Sequence, residues 1–181
     1  MNIHQLQLAF DAAEDRLLLR LSTTAGEEFR VFLTRRFVKV LWPHLLRSLE
    51  SGVVAKAPVA EARREVLAFE HEKAVRETDF SRPFAEPAAA TPQRFPLGER
   101  PFVAIHGQLR VETPGAYKMV LNPGEGRGVE IGLDERLLHS FCQLLESAAR
   151  AAEWDLAFFP PLQTTAPEEQ AAAAPPRHML N

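Results

Sequence analysis

The stretch Glu28-Phe-Arg-Val-Phe-Leu-Thr-Arg-Arg-Phe-Val-Lys-Val-Leu-Trp42 reads as a strand that runs straight into a helix. Phe29, Val31 and Leu33 alternate with Glu28, Arg30 and Phe32, a period of two that marks a strand with one face on a core. Thr34 stands where a helix N-cap belongs, its hydroxyl placed to accept from a backbone N–H further on. After it Phe37, Val38, Leu41, Trp42, Leu45 and Leu49 recur at spacings of three and four, which makes one apolar helix face.

The same grammar returns one hundred positions later in Val129-Glu-Ile-Gly-Leu-Asp-Glu-Arg-Leu-Leu-His-Ser-Phe-Cys142. Val129, Ile131 and Leu133 alternate, Asp134 takes the cap position, and Leu137, Leu138, Phe141, Leu145 and Ala148 form the stripe. Adding 100 to each position from 17 to 50 aligns the two segments without a gap, and Leu21, Gly26, Leu33, Arg36 and Leu45 meet Leu121, Gly126, Leu133, Arg136 and Leu145. Shared period, cap and turn glycine point to an internal repeat.

Outward from these units the chain reads as two meanders. Residues 3–10 and 16–22 alternate apolar and polar and turn through Thr23-Thr-Ala-Gly26 into 28–34, with a helix from about 35 to 50 covering the apolar side. Pro43 lies inside that helix and predicts a kink or restart near Trp42, and Gly52 suits its stop. A highly charged helix is expected over about 58–78, opened by Pro58, with Val59, Ala62, Val66 and Phe69 as a thin stripe. Residues 79–101 hold five prolines and read as a linker whose Phe80, Phe84 and Phe95 dock on the protein's own core. Strands at 102–112, 116–121 and 129–133 and a helix at 135–153 complete the second half, and Trp154–Phe159 is a short apolar segment.

The predicted fold class is α+β: two similar antiparallel three-stranded meander-plus-helix units forming an internal pseudo-dimer. The divisions are 1–52 for the first unit, 53–101 for the bridging helix and Pro/Ala-rich linker, 102–160 for the second unit, and 161–181 for a disordered tail rich in Ala, Pro, Gln and Glu.

Composition narrows the function classes. Of 181 residues 46% are hydrophobic, enough for a core, while a formal net charge of −3 supplies no overall pull toward nucleic acid or anionic membrane. A single cysteine excludes an internal disulfide and a cysteine-rich zinc site. There is no signal-like segment and no bilayer-length apolar run, so a cytoplasmic location without membrane contact is expected.

No catalytic motif stands out. Gly124, Gly126 and Gly128 join two strands rather than a strand to a helix, so they read as a hairpin loop, not a phosphate cradle. His139 and Cys142 are one helical turn apart, but Cys142 falls on the apolar stripe and reads as core. The 6 histidines lack metal-ligand spacing, and Glu61, Glu65, Glu70 and Glu72 alternate with basic residues as a solvated helix face does. No catalytic residue, cofactor or metal is assigned.

Two non-enzymatic readings follow, and a third, an enzyme whose pocket is assembled from distant residues, predicts a deep cleft lined by polar groups. In the first, the chain is an interaction or regulatory module that binds another protein. In the alternative, Arg16, Arg20, Arg30 and Phe32 on the outward face of the first sheet bind single-stranded DNA or RNA through phosphate contacts and base stacking. A meander feeding a capped helix, present over about 17–50 and 117–150, resembles the pattern of the Whirly and purine-rich-element-binding families. That resemblance implies a single-stranded nucleic-acid binder built from two strand-rich units.

Overall fold

A computed structural model describes residues 3–54, 60–77, 84 and 94–156. The architecture is mixed α+β, with two sheets and three helices among the described residues. The first sheet has the order β1 (Ile3–Asp11), β2 (Arg16–Thr23), β3 (Glu28–Leu33), β4 (Phe102–Val103). The second has the order β5 (His106–Thr113), β6 (Ala116–Asn122), β7 (Val129–Asp134). Helix α1 spans Arg35–Val54, α2 Ala60–Glu77 and α3 Glu135–Ala151.

The sheets are not two equal meanders. The strand expected over 102–112 is divided: Phe102 and Val103 pair in parallel with Val31 and Phe32, and the chain then crosses to begin β5. Backbone bonding explains the division. The Ala104 N–H donates to the Phe32 carbonyl at 2.9 Å, whereas the Ile105 N–H donates to Asn122 of the other sheet at 2.8 Å. Further up the same edge, Arg94 bonds the Gly26 carbonyl and the Glu28 N–H. The end of the expected linker therefore covers the open edge of β3, as buried backbone polar groups require.

Elsewhere the pairing follows one rule in both sheets. Leu17, Leu19 and Leu21 face Leu33, Val31 and Phe29 across β2–β3. Tyr117, Met119 and Leu121 face Leu133, Ile131 and Val129 across β6–β7, each pair displaced by 100 positions. The first hairpins differ, because Asp11 pairs with Arg16 across a four-residue turn while Thr113 pairs with Ala116 after a bulge.

Both caps are formed: the Thr34 hydroxyl accepts from the Phe37 N–H at 3.1 Å, and the Asp134 carboxylate from the Leu137 N–H at 2.7 Å. Helix α1 runs unbroken through Pro43. Val38, Leu41 and Trp42 before the proline and Leu45, Leu49 and Val53 after it are all buried. Packing of that single stripe outweighs the one backbone bond a proline removes. Gly52 does not stop the helix, since α1 continues to Val54. Its role is steric: a Cβ there would lie 2.9 Å from the Tyr117 hydroxyl, which donates to the Ser48 carbonyl.

The buried side chains of both sheets and all three helices form one continuous core. The helices cross between halves. α1 packs on β5, where the Phe37 ring fills the space above Gly107, and α3 packs on β1 as well as on β6 and β7. Among the described residues no helix is long and apolar enough to cross a membrane. Pro58, Phe80, the segment after Leu156 and the tail at 161–181 lie outside the described residues.

The glycine loop separates two uses of glycine. Gly124 and Gly126 take φ of 92° and 88°, which side chains resist. Gly128 is instead squeezed, because a Cβ would collide with the Asn122 side-chain oxygen and the Leu121 carbonyl oxygen. Gly128→Ala is expected to lower unfolding free energy by about 1–3 kcal/mol through overpacking. Gly132→Ala, where a Cβ meets nothing within 4 Å, should change it by no more than about 1 kcal/mol, in the stabilising direction. Thermal melts of the two variants check the pair.

Candidate functional site

The outward face of the first sheet brings Arg16, Arg20, Arg30 and Phe32 together. Arg20 and Arg30 are direct cross-strand partners, and Phe32 faces Leu18 beside them. Two guanidinium groups opposite each other repel unless an anion lies between them. Glu28 supplies it. Its Oε1 accepts from Arg20 Nε at 2.9 Å and from Arg30 Nε at 2.7 Å, and its side chain is only 1% exposed. Burial by itself would raise the Glu28 pKa, but the hydrogen bonds and charges of Arg20 and Arg30 outweigh it and hold the carboxyl below its ordinary value.

Each arginine also lies over a phenyl ring. The Arg16 guanidinium carbon is 5.7 Å from the Phe32 centroid, that of Arg20 4.2 Å from Phe84, and that of Arg30 4.7 Å from Phe95. Arg30 further donates to the Glu99 carbonyl at 3.2 Å. Phe84 and Phe95 thus settle on the arginine face of the first sheet, not on the apolar core as the sequence suggested. Phe32, expected as an exposed aromatic, is itself buried.

A second feature lies where α2 meets α3. The Nδ1 atoms of His71 and His139 are 3.3 Å apart, and His71 Nε2 is 3.1 Å from the Gln143 side-chain oxygen. Beside them opens a cleft of about 310 Å³ lined by Glu70, Lys73, Ala74, Gly115, Asp134, Glu135, Arg136 and His139. Cys142 does not enter this chemistry, because burial, with a smaller effect from Glu146, pushes its thiol pKa far up and keeps it protonated. Among the described residues no group of three or more His, Cys, Asp or Glu side chains is arranged to hold a metal ion.

The outer surface of α2 is a third candidate. Phe69 is 64% exposed, and Glu65, Glu72, Lys73 and Arg76, at helical spacings from it, are exposed around it. The opposite side of the helix docks through Leu67 and Ala74, both buried.

Sequence reasoning located the arginines but missed Glu28 as their hub. The signal was present, since two facing arginines on paired strands call for a nearby carboxylate. Nothing in the sequence pairs His71 with His139, which lie 68 positions apart on two different helices. No protein-family model matches the chain, and comparisons with curated proteins and with solved structures find no similar protein.

Proposed function

We propose that this chain is a non-enzymatic interaction module that binds another protein, built as an internal pseudo-dimer of two strand-and-helix units. The duplication is supported by the pairing rule that repeats at an offset of 100 and by the reciprocal packing of α1 on β5 and α3 on β1. The observation that carries the binding role is Phe69, an exposed ring at the centre of a mixed-charge helix face. Large aromatic side chains ringed by polar groups are what a partner desolvates to gain most of its affinity. A partner captured by the wild-type chain should be weakened by Phe69→Ala by about 2 kcal/mol, roughly thirtyfold. Co-purification from the native cell with wild-type and variant chains tests this, and an unchanged set of captured proteins counts against it.

The arginine face favours a second reading, a single-stranded DNA or RNA site. Three guanidinium groups gathered on one face, each lying over a phenyl ring, offer phosphate contacts. Under this reading, oligonucleotide binding weakens steeply with salt, and Arg20→Ala reduces the slope of log K against log salt by about one. Absence of oligonucleotide binding at low salt removes it.

A further inference from the structure

Among the described residues β5 is the most solvent-exposed strand, with seven of its eight residues exposed and only Leu109 partly covered. It stands at the end of the order β5-β6-β7, so among the described residues no strand pairs with its outer edge. Two of the four large apolar side chains left exposed among the described residues, Ile105 at 60% and Val111 at 52%, flank this edge. A long exposed edge with apolar ends invites addition of another strand.

The sequence of the strand says which strand fits. We propose that β5 pairs antiparallel with β5 of a second copy about a twofold axis at Leu109, joining the two three-stranded sheets into one of six. In this register Leu109 faces its own copy, Gln108 faces Arg110 of the other chain, and Val111 faces Gly107. These three cross-strand pairings are each complementary. The Arg110 guanidinium already donates to the Gln108 side-chain oxygen at 2.7 Å within one chain, and across the axis the same two groups meet twice. Gly107 carries no side chain, and the Phe37 ring occupies the space above it. Val111 of the second copy therefore comes to rest beside that ring, which buries part of its exposed surface. Moving the axis to Arg110 sets two guanidinium groups against each other, and moving it to Val111 runs the pairing through the bulge between Val111 and Thr113. The register centred on Leu109 avoids both faults. This surface is separate from the Phe69 face and from the arginine face, so the proposal stands or falls independently of either.

Sedimentation equilibrium of the full chain tests it, with circular dichroism to establish that each variant is folded. The wild type should approach twice the chain mass with rising concentration. Gln108→Arg sets two arginines against Arg110 across the axis and should weaken the dimer by about tenfold, two unfavourable cross-strand pairs acting together. Arg110→Glu alone should leave association nearly unchanged, because a glutamine amide also donates to a carboxylate. The double variant Gln108→Arg/Arg110→Glu should restore the dimer through two ion pairs. A wild type that stays at the mass of one chain at its highest soluble concentration overturns the proposal, as does a dimer indifferent to Gln108→Arg or a double variant that fails to recover.

Discussion

Phe141→Ala is expected to lower the unfolding free energy by about 3–5 kcal/mol, the range for deleting a fully enclosed ring and leaving a cavity. Among the described residues Phe141 is the largest side chain of those fully removed from solvent. It sits on α3, which packs against strands of both sheets and against α1 and α2. No single element can relax into the space, so the loss should fall at the upper end of the range. Globular domains carry about 5–15 kcal/mol in total, so the variant should be partly unfolded at moderate temperature. Denaturant titration should show a lower midpoint with an unchanged slope. A loss below about 1 kcal/mol would place Phe141 in a loosely packed region and contradict the shared core.

Glu28→Gln is expected to cost about 2–3 kcal/mol at neutral pH, the scale of hydrogen bonds to charged partners whose loss leaves those partners exposed to one another. The substitution keeps the shape and removes the charge, so the facing guanidinium groups of Arg20 and Arg30 repel. The pH dependence follows from the direction of the shift. The folded-state pKa lies below the ordinary value of 4.5, so the stabilisation is complete above that value and is lost as pH falls through the lower folded-state value. The gap between wild type and Glu28→Gln should therefore be constant near neutrality and should close in acid. Melts of both proteins across that window check it. A gap that stays the same in acid would mean that the carboxylate charge does not hold this face together.

Most local structure was legible in the sequence because it is governed by short-range rules. Alternation in β2, β6 and β7, the Thr34 and Asp134 caps and the positive φ of Gly26 all follow from residues within a few positions, whereas in β3 the outward-facing Glu28 and Phe32 are buried as well. What escaped was long-range. Pairing of Phe102 and Val103 with β3 is decided by an open sheet edge some seventy residues earlier in the chain, which no local pattern reports. Pro43 misled because local propensity lost to the burial of one stripe on either side of it. In the candidate site, period two alone put three arginines on one face. Their stacking on Phe84 and Phe95 depends on where the intervening chain returns, and composition does not encode that.

Trp42 on α1 and Trp154 just beyond α3 are the only tryptophans, both buried in the same core. Chemical denaturation of Trp42→Phe and Trp154→Phe, each followed by the remaining tryptophan's fluorescence and by far-ultraviolet circular dichroism, asks whether the two halves hold each other up. Interlocked halves sharing one interior should unfold together, so within each variant the two signals trace one transition with one midpoint. Fluorescence and dichroism that part company, with one half melting while the other persists, would show two independent units and contradict the account.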